Sequence, residues 1–192
     1  SNNVLPFDDI VRIKHAEDVL EKYWNAHRMD ATVEYLVTDV FDTPFDFFQS
    51  FGTYWEERGW SRIGHQLEDL FMRLLDFLST LPHVDLGIVK TLMLIDYFKP
   101  QSFIPRKTWW KERVAEDQLK ALYAAIRQNA AVAGEEFAAM NVSEKDLFKH
   151  SLIIPSSISY KDLQKGRVVK QDGYLFIYFR QGQAPYMKDI RL

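Results

Sequence analysis

The first two-thirds of the chain repeats its hydrophobic residues at the spacing of an α-helix. The clearest run extends from Leu67 to Leu78, with apolar residues at i, i+3, i+4, i+7, i+8 and i+11, and predicts an amphipathic helix. Residues 85–98 are apolar almost all round, which is typical of a helix that is buried on most sides. Together these patterns predict helices over residues 9–25, 30–40, 43–58, 67–78, 85–98, 117–131 and 143–150.

Capping residues mark the ends of two of these helices. Thr43 suits the N-cap and Pro44 the first helical position, while Gly59 suits the position after the last turn. Ser143, with Asp146 three residues later, resembles a capping box in a weaker aspartate form. The caps therefore support the predicted helices over residues 43–58 and 143–150.

The pattern changes near the C-terminus. Residues 151–158 form a short apolar run interrupted by Pro155, and residues 167–170 and 174–180 flank Asp172-Gly173, a dipeptide typical of a hairpin turn. The predicted fold class is therefore mainly α, with six to seven helices in an orthogonal or bundle-like arrangement and a small C-terminal antiparallel β-hairpin.

The length of 192 residues predicts one domain, because domains usually have about 100–200 residues. Residues 3–110 are expected to form a helical core, and residues 111–192 to continue the same domain with helices and then the hairpin. Residues 1–2, Ser1-Asn2, resemble a remnant of recombinant expression. The chain is therefore expected to be a fragment of a longer protein.

The charge balance argues against a nucleic-acid partner. The chain has 24 basic and 27 acidic residues, a net charge of −3, whereas electrostatic nucleic-acid binding requires a clustered basic surface. No apolar stretch approaches the ~20 residues needed to cross a bilayer, and the N-terminal residues do not resemble a signal peptide. We therefore expect a cytoplasmic protein with no membrane contact and no nucleic-acid partner.

Cysteine chemistry is excluded from the chain itself. With no cysteine, it has no disulfide, thiolate zinc site, catalytic thiol or cysteine-ligated iron–sulfur cluster. No two of its five histidines are spaced i, i+4. We predict no catalytic, cofactor-binding or metal-ligating residue, and the isolated chain is expected not to be an enzyme. An independent small enzyme remains an alternative, and it would need a pocket that brings together Ser61, His65 and Glu68.

The tryptophans suggest a contact surface. Trp109 and Trp110 are adjacent and follow a connector over residues 99–107, so one is expected in the core and the other on the surface. Arg106 and Lys107 lie just before them, and exposed aromatic residues beside cations can anchor a protein partner. The candidate contact surface is therefore Arg106, Lys107, Trp109 and Trp110, which leaves open a free-standing helical protein–protein interaction module.

Four short motifs occur in a fixed order along more than half of the chain. They are Ala16-Glu-Asp-Val-Leu-Glu-Lys-Tyr-Trp-Asn25, Thr43-Pro-Phe-Asp-Phe-Phe48, Tyr54-Trp-Glu-Glu-Arg-Gly59, and Leu94-Ile-Asp-Tyr-Phe98 followed by Pro105 and Trp109-Trp110. Their order and composition resemble the C-terminal helical domain, of unknown function, of radical SAM proteins with a cobalamin-binding domain, which are described loosely as Fe–S oxidoreductases.

This resemblance implies a modular parent protein. Such a parent has a cobalamin-binding domain, then a radical SAM barrel that holds a [4Fe–4S] cluster on Cys-x-x-x-Cys-x-x-Cys, then this domain. S-adenosylmethionine, the cluster and cobalamin would belong to the parent, and no cofactor to this fragment. The implied role is a non-catalytic C-terminal accessory domain that packs on the upstream barrel and helps to enclose or recruit substrate. The family assigns no catalytic or binding residue to this domain, so none is carried over.

Overall fold

The computed structural model of the chain describes residues 4–192, so the expected expression remnant at Ser1-Asn2 lies outside the described residues. The chain divides into two compact units, with the boundary between Asp96 and Tyr97. The prediction of a mainly α fold with an antiparallel β element near the C-terminus is confirmed. The described part of the first unit contains the helices α1 (Phe7–Leu20), α2 (Asp30–Tyr35), α3 (Pro44–Glu57), α4 (Leu67–Ser79) and α5 (Leu86–Phe98), whose last turn crosses the boundary.

Two of these helices end in a wider turn than the sequence pattern indicates. After α1 the chain continues in a π-helical turn over Glu21–Asn25, and after α2 in another over Leu36–Val40. The predicted helical segments 9–25 and 30–40 are therefore confirmed in extent. Over only five residues an α-helix and a π-helical turn repeat their side chains at nearly the same spacing. The hydrophobic pattern alone therefore cannot distinguish them.

Helix α3 begins and ends as its capping residues predict. The Thr43 side chain accepts a hydrogen bond from the Asp46 N–H at 3.1 Å, and Pro44 occupies the first turn. Gly59 has φ +72°, the left-handed conformation that terminates helices without the steric penalty of a side chain. These caps set the residues at which α3 begins and ends. Within the helix, Phe47, Phe51 and Trp55 are buried in the core.

Helices α1 and α3 approach each other closely at Gly52. A Cβ atom built on Gly52 would lie 2.4 Å from the carbonyl oxygen of His15, which is backbone and cannot rotate away. Beside this contact, Ala16 and Val19 of α1 are buried. The absence of a side chain at Gly52 therefore allows α1 to pack directly on α3.

The second unit combines short helices with a sheet. Its elements are α6 (Glu116–Gln128), α7 (Glu135–Ala139), α8 (Glu144–His150), β1 (Ser151–Ile158), α9 (Tyr160–Leu163), β2 (Lys170–Tyr178) and β3 (Tyr186–Ile190). The sheet is antiparallel with order β1-β2-β3. Its core contains Leu122, Ile126, Phe137, Leu147, Ile153 and Phe176.

The predicted hairpin turn at Asp172-Gly173 is wrong. Both residues lie inside β2, where Gly173 pairs with Ser156 of β1. Pairing with β1 continues on both sides of this dipeptide, from Ser156 with Gly173 to Ile158 with Lys170, with a shift of register between them, so sheet pairing overrides the local turn preference. Strand β1 tolerates Pro155 because it is an edge strand, with β2 as its neighbour on one side. The turn between β2 and β3 instead contains Gly182, at φ +73°.

Candidate functional site

The first and third sequence motifs meet in one buried aromatic group. The Tyr23 ring lies 4.8 Å from the Phe51 ring and 5.7 Å from the Trp55 ring, centroid to centroid, with edge-to-face geometry. Its hydroxyl donates a 2.8 Å hydrogen bond to the Leu70 carbonyl oxygen of α4. Edge-to-face pairs of this kind stabilise a core beyond the area they bury. These motif residues therefore join α1, α3 and α4.

Asp96 of the fourth motif acts as a remote cap for α2. Its carboxylate accepts hydrogen bonds from the backbone N–H groups of Ala31 and Thr32, at 3.3 and 2.9 Å, and from the Thr32 hydroxyl at 2.7 Å. The residue before α2, Met29, has no capping side chain. Asp96 is 8% exposed, and this burial raises its pKa from 3.8 to about 6 although the hydrogen bonds from Thr32 and Ala31 oppose the shift.

The raised pKa of Asp96 predicts that the stability of the folded chain depends on pH. The unfolded chain releases this proton near pH 3.8 and the folded chain near pH 6, so folding favours the protonated form. The contribution of Asp96 to the free energy of unfolding is therefore largest below about pH 4. It declines by roughly 2–3 kcal/mol as the pH rises to and through 6. Urea unfolding of the native chain and Asp96→Asn between pH 4 and 8 measures it. The native chain should lose stability relative to the variant as pH rises, and a pH-independent difference would contradict the prediction.

The four residues of the candidate contact surface do not have equal access to solvent. Trp110 is 7% exposed and belongs to the core of the second unit, where its ring lies 5.2 Å from that of Phe98 and 6.0 Å from that of Tyr97. Trp109 is half-buried, whereas Arg106 and Lys107 are exposed. The structure thus exposes Arg106 and Lys107, leaves Trp109 half-buried and buries Trp110.

Of the three residues named for a small enzyme, Glu68 is half-buried in the first turn of α4, and the other two have different surroundings. His65 directs Nε2 to the Trp60 carbonyl oxygen at 2.8 Å and places its ring 4.6 Å from that of Trp55. Ser61 is exposed in a 3₁₀ turn over Trp60–Arg62. Within residues 4–192 no group of three or more histidine, aspartate or glutamate side chains is arranged to hold a metal ion.

A polar group around two tryptophans was missed by the sequence reasoning. We call it the indole cluster, and its members are Asp18, Lys22, Trp55, Trp60, His65 and Arg73. The Lys22 ammonium lies 5.9 Å from the Trp55 ring and the Arg73 guanidinium 5.4 Å from the Trp60 ring. The two indoles are themselves 5.5 Å apart. Lys22 also forms an ion pair with Asp18 one helical turn earlier.

Two charged residues of the indole cluster, Arg73 and Asp18, influence the buried Tyr23 hydroxyl electrostatically. Burial raises the pKa of Tyr23 well above its usual range, while the charge of Arg73 opposes this rise and that of Asp18 adds to it. The cluster members come from α1 and its π-helical continuation, α3, the following turn and α4. No fixed sequence spacing links these segments, so no motif search could have found the cluster.

No helix in the described part of the chain combines the length and apolar character required to span a bilayer. A significant match was found neither among curated proteins nor among solved structures. One family model does match, over residues 1–177, and on this match the chain belongs to the family described as "Protein of unknown function (DUF4080)".

Proposed function

We propose that the chain is a non-catalytic accessory domain that packs on a radical SAM barrel and helps to enclose or recruit its substrate. The observation that carries the proposal is an apolar face on α1. Phe7, Ile10 and Ile13 are 77%, 43% and 37% exposed and follow each other at i, i+3 and i+6. The same i+3 series continues into Ala16 and Val19, which are buried, so the exposed face lies on the N-terminal half of α1.

The apolar face is denser than the rest of the exposed hydrophobic surface. Val4 and Leu5 lie immediately before α1 and are also exposed, so five large apolar side chains fall within residues 4–13. Single exposed hydrophobic residues are normal, but a contiguous apolar patch usually marks an interaction site. The barrel of the same parent chain is the occupant that the motif resemblance suggests.

The placement of the motif residues supports a scaffold role. Tyr23, Trp55 and Asp96 carry the resemblance, and all three are buried and engaged in packing or capping. Residues that pack in the core or cap a helix stabilise the fold and are not expected to take part in catalysis. In the proposal, S-adenosylmethionine, the [4Fe–4S] cluster and cobalamin are bound by the upstream domains of a cytoplasmic parent. A docked domain would help to keep water from radical intermediates.

The gene that encodes the chain provides the first test. We expect an upstream Cys-x-x-x-Cys-x-x-Cys sequence, because the cluster requires three thiolates that this chain lacks. An open reading frame without that triad would refute the proposal.

A double variant of the parent protein tests the docking face. Phe7→Asp with Ile10→Asp places two charges on the apolar face, so we expect α1 to become accessible to limited proteolysis and hydrogen exchange in the full-length protein. The 192-residue chain carrying the same changes should unfold at an unchanged urea concentration, because both side chains are exposed. As a matched control, Phe148→Asp alters a single exposed aromatic residue elsewhere. Equal protection of α1 in the native and double-variant parent proteins would contradict docking through this face.

A free-standing interaction module is the second candidate function. It is favoured by Trp109, which stays half-buried beside exposed Arg106 and Lys107 in the structure. A partner of this module would be bound by the isolated chain, whereas the accessory-domain proposal requires the upstream barrel. Pull-down by the isolated chain that is lost on Trp109→Ala with Arg106→Ala would favour the module.

A further inference from the structure

Four buried polar atoms of the indole cluster have no hydrogen-bond partner among the described residues. They are Asp18 Oδ2, Trp55 Nε1, His65 Nδ1 and Arg73 Nη1. Each such atom costs about 1–3 kcal/mol when it is left unpaired, and native proteins contain few of them. Trp55 is the most enclosed member, with 1% of its surface exposed. Four unpaired atoms in one cluster therefore indicate a binding function.

The chemical character of each unpaired atom follows from its surroundings. The Trp60 carbonyl oxygen can only accept, so His65 donates from Nε2 and, as a neutral ring, has a lone pair on Nδ1. Asp18 binds Lys22 through Oδ1, which leaves Oδ2 as a second acceptor. Trp55 Nε1 and Arg73 Nη1 are donors. The cluster thus presents two donors and two acceptors that do not satisfy each other.

We propose that the indole cluster binds a small carboxylate that has a hydroxyl or amino group on the neighbouring carbon. The ligand carboxylate accepts from Arg73 Nη1 and Trp55 Nε1, and its hydroxyl or ammonium donates to His65 Nδ1 or Asp18 Oδ2. The cation of Arg73 selects an anion, because hydrogen bonds between charged groups are about twice as strong as neutral ones. A ligand without both functions would leave part of the cluster unpaired.

Two long cationic side chains lie over the indole rings of the cluster. Lys22 and Arg73 hold their charged ends over the indoles of Trp55 and Trp60, and both side chains are half-buried. Their flexible stems allow them to move aside and then return to the ligand. Binding therefore requires side-chain rearrangement but no change in the helices. The proposal does not depend on a radical SAM parent, and the two can fail separately.

The indole N–H of Trp55 provides a direct measurement on the 192-residue chain. In a ¹H–¹⁵N spectrum the chain gives one indole signal for each of five tryptophans, and Trp55→Phe identifies the one of interest. We expect glycolate or glycine to shift this signal saturably, at concentrations up to about 50 mM for so small a ligand. Acetate, which lacks the second function, should bind about 10-fold more weakly. Ethylene glycol, which lacks the carboxylate, should leave the signal unchanged.

Variants of two arginines distinguish ligand binding at the indole cluster from a general effect of positive charge. Arg73→Gln is expected to weaken glycolate or glycine binding about 10-fold or more. Arg62→Gln is the matched control, because Arg62 is 79% exposed and pairs with Glu56 rather than with the cluster, so binding should be retained. If Arg73→Gln does not fold, Arg73→Lys carries the test, since it retains the charge but lacks Nη1.

Three results would overturn the proposal. One is a Trp55 signal that responds to neither glycolate nor glycine. Another is binding that Arg73→Gln, or Arg73→Lys in its place, does not weaken. The third is a Trp55 indole proton that contacts water alone at all ligand concentrations, which would make ordered solvent the partner of these atoms.

Discussion

Replacing Trp110 with alanine is expected to lower the free energy of unfolding by about 3–5 kcal/mol, the usual cost of removing a large aromatic side chain from a core. Trp110 is 7% exposed, and its ring meets those of Phe98, Tyr97 and Trp109. The guanidinium of Arg113 lies 5.4 Å from the ring and adds a cation–π contact. Urea unfolding, monitored by circular dichroism, measures the loss.

This variant also tests whether Trp110 belongs to a surface anchor. A surface anchor would lose partner binding on Trp110→Ala while its stability stayed unchanged. Arg106→Ala is the control, because its side chain is exposed and its loss should change stability by less than about 0.5 kcal/mol. A Trp110→Ala chain that unfolds at the same urea concentration as the native chain would show that Trp110 is not a core residue and would favour the interaction module.

The sequence predicted helices well where periodicity and caps agreed. Thr43, Pro44 and Gly59 each occupy the predicted position in α3, and the pattern from Leu67 to Leu78 lies within α4. These signals are local, because a cap or an amphipathic stripe depends on residues within one or two turns. Long-range pairing explains the failure at Asp172-Gly173, where a turn preference was overridden by a strand from elsewhere in the sequence.

The candidate sites show the same limit of local reasoning. Asp96 caps a helix that begins 66 residues earlier, and neither Asp96 nor Asp30 carries a local sign of this pairing. The indole cluster combines residues from Asp18 to Arg73 whose separate neighbourhoods look ordinary. By contrast, the core position of one tryptophan in the Trp109-Trp110 pair was predictable, because adjacent side chains on an extended segment point in different directions.

Gly52→Ala is expected to destabilise the first unit by about 3 kcal/mol or more, as severe overpacking does. In an open helix this change would add up to ~1 kcal/mol of stability, because alanine is the better helix former. Here the new Cβ would lie 2.4 Å from the His15 carbonyl oxygen and 2.9 Å from the Ala16 nitrogen, so α1 itself must move. The steric cost exceeds the gain in propensity because backbone atoms cannot rotate out of the way.

Gly52→Ala should affect both the indole cluster and the apolar face of α1. Helix α1 carries Asp18 and the exposed apolar face, so its displacement from α3 should shift the Trp55 indole signal and weaken glycolate or glycine binding. Gly64→Ala is the matched control, since a Cβ there meets no atom within 4 Å and stability should stay within about 0.5 kcal/mol of the native value. A Gly52→Ala chain as stable as Gly64→Ala would show that α1 does not pack on α3 as described, and the indole cluster would then lose the helix that supplies its carboxylate.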